Sequence, residues 1–140
     1  MEFVCEVRGG KTWFRMETEV EADRETELMD HAVAKHFRLA AERATKTYKP
    51  TSTVFIEQNI GLKAHLQREM PLFLTLRDNG GNALATAMLP PNGKDSQNFN
   101  TVIVGAGNSD PYTEHGAAIR VLGTHFDLAL DRERCFPYRR

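Results

Sequence analysis

The chemistry available to this 140-residue chain lies in five histidines, two cysteines and a pair of glycines that follows a short apolar run. That run reads Val102-Ile103-Val104-Gly105-Ala106-Gly107, and Asn108-Ser109-Asp110-Pro111 leads from it into a helical pattern. A strand, two glycines and a helix start form the first half of a dinucleotide-binding fingerprint. In that motif the glycines permit a tight turn and close approach of a pyrophosphate, which the positive helix end then faces. The third glycine position of G-x-G-x-x-G is Asp110 here, whose carboxylate opposes a phosphate. The thirty-three residues after Gly107 are also too few for the remaining strands of such a fold. A simpler reading survives, an anion- or small-molecule-binding turn with Gly105, Gly107, Asn108 and Ser109 as its contacts and His115 just beyond. The plainer alternative is that two glycines after a short strand make only a turn.

His125 and Asp127 share a face if residues 123–131 form a strand, and a His-x-Asp couple can hold a metal or orient a general base. If the segment is helical the two diverge by about 200° and the pairing is lost. His31 and His36 are five apart, about 140° around a continuous helix, so they do not converge on one ion. No metal and no cofactor are expected. Cys5 falls on the apolar side of its segment, where a thiol behaves as a small hydrophobe. Cys135 sits among Arg132, Arg134 and Phe136 without a nucleophile motif. The sequence offers no catalytic motif, and an enzyme is the less favoured reading.

Composition bounds the function further. Apolar residues at 41% and charged residues at 26% belong to a globular chain rather than a disordered one. Eighteen Lys and Arg against nineteen Asp and Glu argue against a dedicated polyanion binder. The charges are segregated, however. Residues 17–30 hold seven acids and one arginine, whereas residues 31–49 hold five bases and one acid. Such a surface suits a complementary partner, including a second copy of the chain. The basic 35–49 helix face and the C-terminal Arg132, Arg134, Arg139 and Arg140 leave nucleic-acid binding as a third reading. An acid at position 2 without a following apolar run, and no stretch of about 20 apolar residues, predict a cytoplasmic chain with neither leader nor membrane span.

The elements that must position these residues begin with Gly9-Gly10, suited to a two-residue hairpin turn between 2–8 and 11–20. That turn pairs Cys5 with Phe14 and Phe3 with Met16, and gathers Phe3, Cys5, Val7, Phe14, Met16 and Val20 on one face. Trp13 then stands on the polar face beside Arg15, and the two are read as an interface. Asp23 caps a long helix over 23–48, with Met29, Val33, Phe37, Ala40, Ala44 and Tyr48 as its apolar stripe. Residues 53–58 read as a strand and 61–70 as a short helix. The 72–77 and 83–89 runs form a hairpin about Asp78-Asn79-Gly80-Gly81-Asn82, and 90–100 is a polar loop. Residues 101–104 are a strand and 111–122 a helix, with 123–131 as a final strand that adds a parallel crossover.

The expected architecture is one α+β domain over 1–140. Its mainly antiparallel sheet has six or seven strands, with the long helix packed on one face and two shorter helices. The leading functional expectation is an intracellular, non-catalytic protein-interaction module acting as a homodimer.

Overall fold

The computed structural model describes residues 1–95 and 98–139. The chain is α+β, with a five-stranded antiparallel sheet in the order β1 (Glu2–Val7), β2 (Lys11–Arg15), β3 (Leu72–Arg77), β4 (Ala83–Leu89) and β5 (Val102–Val104). Four helices complete it among the described residues: α1 (Glu19–Met29), α2 (Val33–Thr47), α3 (Phe55–Glu69) and α4 (Tyr112–Phe126).

The sheet is covered on both faces. Trp13, Leu74, Leu76, Ala85, Ala87 and Ile103 pack against Ala118, Ile119 and Leu122 of α4. Met16, Phe73 and Met88 face the opposite way, toward Ala22, Val33, Ala34 and Phe37 of α1 and α2. Two-sided burial explains why β3 reads Leu-Phe-Leu-Thr-Leu without polar alternation.

The strand count, the long helix and the first hairpin all differ from expectation. The sheet has five strands rather than six or seven, because 53–58 and 123–131 are not strands. Residues 55–58 open α3: Gln58 N–H donates to the Val54 carbonyl at 2.9 Å, and Val54 N–H donates to the Ser52 hydroxyl at 3.1 Å. A three-residue apolar run, Val54-Phe55-Ile56, fits either period, and the start of the helix absorbs it. Residues 123–126 are the last turn of α4, which stops at Asp127 in the left-handed region (φ 54°). Gly123 lies inside that helix because the returning chain comes close. A Cβ there would sit 2.8 Å from the Leu128 carbonyl oxygen. Because 123–131 is not a strand, the expected crossover to it does not form, and β5, antiparallel to β4, is the last strand of the sheet. Its outer edge meets the 136 backbone in a single parallel bridge.

The long helix over 23–48 is two helices. Thr18, not Asp23, caps α1, in a reciprocal capping box with Glu21. Asp30 adopts the left-handed region (φ 50°) and ends α1, and α2 starts at Val33. Met29 and Val33 both remain in the core. A break that preserves the buried face leaves no trace in the periodicity.

The first hairpin is shifted by one residue. Its turn takes in residues 8–10, so Val7 pairs with Lys11 and Cys5 with Trp13 instead of Phe14; a bulge follows before Phe3. A one-residue slip exchanges the faces. Trp13 is fully buried because α4 covers its side of the sheet, Phe3 is 57% exposed, and Val20, which lies on α1 rather than in the hairpin, is 76% exposed.

Candidate functional site

Two features stand apart from the packed frame. The first begins with Glu25, an acid on the same stripe of α1 as Ala22 and Met29, and fully buried with them. Its Oε1 pairs with Arg77 Nη2 of β3 at 2.6 Å. Arg77 Nε also donates to Thr75 Oγ1 at 3.0 Å. The other carboxylate oxygen of Glu25 accepts the Thr86 hydroxyl of β4 at 2.9 Å. Thr86 Oγ1 in turn lies 2.8 Å from His31 Nε2, on the link between α1 and α2. Thr86 has one hydrogen, and the carboxylate of an ion pair only accepts. The Thr86 proton therefore points to Glu25, and the oxygen accepts the His31 Nε2–H. The ring proton sits on Nε2, and Nδ1 carries the lone pair. Val33 N–H donates to that Nδ1 at 3.4 Å, a long contact. Burial pushes the His31 pKa down, against the opposing pull of Glu25 and Asp30, which favours the neutral ring.

Beyond this chain of contacts lies a cavity of about 250 Å³ between the α1–α2 corner and the β4–β5 edge. Phe73, Met88, Val102 and Val104 supply its apolar wall; His31, His36, Thr86 and Asn108 supply its polar groups. The register explains the wall. Phe73 pairs with Met88, Met88 with Val102 and Thr86 with Val104, so all five project to one face. His31 and His36 both reach it because the helix breaks between α1 and α2.

Asn108 is the one residue of the expected 105–109 turn that lines this cavity. The backbone of that turn is engaged within the chain. Gly105 N–H donates to the Ser109 carbonyl at 2.7 Å and Ser109 N–H to the Ala106 carbonyl at 3.1 Å. At the start of α4, Tyr112 N–H donates to the Asp110 carboxylate at 2.8 Å, and Asp110 pairs with Arg132 at 2.8 Å. A carboxylate of the chain thus takes the place an anion would occupy. His115 stands elsewhere, with Lys11 Nζ 3.5 Å from its Nδ1 and Glu114 3.7 Å from its Nε2. Burial, then Lys11, pushes its pKa down.

His125 and Asp127 do not converge. His125 is on the last turn of α4 and borders a shallow cavity with Phe3 and Arg15, whereas Asp127 borders another with Arg120. Trp13 and Arg15, expected as an interface, both make contacts within the chain. The Trp13 indole N–H donates to the Ala118 carbonyl of α4 at 3.0 Å, out of reach of any partner. Arg15 Nη2 donates to the Gln67 carbonyl at 2.9 Å, tying β2 to the end of α3. Cys5 and Cys135 are separate free thiols, and burial pushes the pKa of each upward. Among the described residues no three His, Cys, Asp or Glu side chains group to hold a metal.

The second feature is α3 itself, which buries none of its fifteen residues. Leu66 touches the core, and polar contacts join the helix to the end of α2. Tyr48 O–H donates to the Gln58 carbonyl at 3.1 Å, and His65 Nε2 lies 2.9 Å from the Ala44 carbonyl. Its first turns present Val54 (52% exposed), Phe55 (74%), Ile56 (68%) and Ile60 (66%) to solvent. Ile56 and Ile60 are one turn apart and lie over 90° around the helix from the Leu62–Leu66 stripe that faces the core.

Several charges expected to meet a partner are paired at home. Arg38 bridges Glu19 and Asp23 across the acidic and basic helices, and Arg134 faces Asp131. Arg140 lies outside the described residues. No helix of the described residues is long and apolar enough to cross a membrane. No protein-family model, curated protein or solved structure matches this chain.

Proposed function

We propose that the protein is a non-catalytic interaction module whose partner is a second copy of itself, joined through the outer face of α3. One observation carries this reading. A fifteen-residue helix has no fully buried residue, and four large apolar side chains at its start, within residues 54–60, are exposed. Scattered exposed apolar residues are ordinary, but two exposed isoleucines one turn apart, with Val54 and Phe55 exposed at the same helix start, mark an association surface on a helix with few core contacts. A second copy is the favoured occupant for two reasons. Closed two-fold pairs are the commonest soluble assemblies and use the same patch on both subunits. A formal charge of −1 also sets up little repulsion between copies. The two free thiols suit a reducing compartment, and we place the dimer in the cytoplasm.

The nucleic-acid reading is weakened by Arg38, Arg132 and Arg134, which are committed to acids of the same chain. Light scattering on the purified chain at micromolar concentration tests the dimer. The wild type is expected at the mass of two chains. Ile56→Ser with Ile60→Ser is expected at the mass of one, with unchanged circular dichroism. A monomeric wild type, or a dimer indifferent to both substitutions, contradicts the proposal.

A further inference from the structure

The contacts running from Arg77 through Glu25 and Thr86 to His31 are more than an anchor for α1. The ion pair and the Thr86 hydroxyl already tie α1 to β3 and β4. They do not require an imidazole at the end of the row, nor an opening beyond it. That opening has a mainly apolar sheet wall and a few polar residues, His31, His36, Thr86 and Asn108, the usual build of a small-molecule site. Its volume of about 250 Å³ exceeds the roughly 150 Å³ that accepts a benzene ring. It therefore has room for one ring with short substituents.

The ring state of His31 specifies the polar half of the ligand. With its proton held on Nε2 by Thr86, the imidazole has Nδ1 as the nitrogen left to accept. The long 3.4 Å approach of Val33 N–H leaves that lone pair weakly used. Asn108 and His36 contribute further polar groups, the former from a turn otherwise closed on itself. A buried carboxylate fixes the tautomer through a hydroxyl here, as a second-shell acid fixes a histidine in other sites.

We infer that the cavity under the α1–α2 corner binds a small, mainly apolar molecule bearing one hydroxyl or N–H donor, with His31 Nδ1 as the acceptor. The inference rests on residues remote in sequence from the α3 face and stands apart from the dimer proposal. The test uses p-cresol and p-xylene, which match in shape and differ in the hydroxyl, followed by amide NMR on the full wild-type chain. p-Cresol is expected to give saturable shifts at Thr86, Val104 and Asn108, with p-xylene bound about tenfold more weakly, the usual weight of one such hydrogen bond. His31→Phe is expected to reduce that preference to about twofold or less. A readout independent of any variant is the His31 ring itself, whose Nδ1 resonance should move on adding p-cresol and not p-xylene. Absence of saturable shifts with either probe overturns the inference. So does equal binding of the two by the wild type, or an Nδ1 resonance that p-cresol leaves in place.

Discussion

Helices α3 and α4 have the same length, fifteen residues, and opposite relations to the sheet. α4 buries Ala118, Ile119, Leu122 and Gly123, and the Trp13 indole is fixed to its backbone. α3 buries none of its residues and leans on α2 through Tyr48 and His65. Most apolar side chains of α4 are used in the fold, whereas Phe55, Ile56 and Ile60 of α3 are exposed. An apolar helix face unused by its own chain is one the monomer does not need for folding. That is the physical basis for assigning it to a partner.

The sharpest way to break this contrast is to truncate on each side of it. Trp13→Ala removes the largest side chain under α4 and is expected to destabilise the chain by about 3–5 kcal/mol in denaturant unfolding. Phe55→Ala is expected to change monomer stability by no more than about 0.5 kcal/mol in the same measurement. Equal losses would show that α3 is a packed element after all. Next comes the helical layer on the other face. Glu25→Ala leaves Arg77 without its buried counter-charge and should lower stability by about 3–5 kcal/mol. It should also loosen the α1–α2 corner while leaving α4 intact by amide exchange.

The smallest of these effects is in pH. His31 and His115, one on each side of the sheet, are both held below the ordinary 6.5 by burial. A group with a depressed folded pKa favours the folded state while neutral. Its contribution is complete above 6.5 and is lost as pH falls through the folded value. The thermal midpoint should therefore fall between neutral pH and about pH 5, and His31→Asn should make that fall shallower. A midpoint that rises on acidification would contradict the burial of both rings.

Part of this architecture is legible in the residues. The 72–77 and 83–89 hairpin needs Asp78, whose carboxylate accepts from Gly80 and Asn82 N–H at 3.0 and 2.9 Å, and such turn chemistry is local. The register of the first hairpin turns on whether Arg8 belongs to the turn, a difference that reverses every side chain. The cavity is harder still. His31, His36 and Thr86 meet through a helix break and a strand pairing that no local spacing encodes. Two signals do lie in the sequence. Glu25 interrupts the apolar stripe of α1, and an acid there needs a buried partner. The unbroken Leu72–Leu76 run also announces a strand covered on both faces. For α3, the sign was an apolar run too rich for the surface it occupies.

The most direct test of the central claim is amide hydrogen exchange of the wild-type chain at two concentrations, one well above and one well below the dimer dissociation constant. The account predicts that amides of α3 lose protection on dilution while those of α4 keep theirs. Protection of α3 that is independent of concentration, or loss in both helices together, would contradict it.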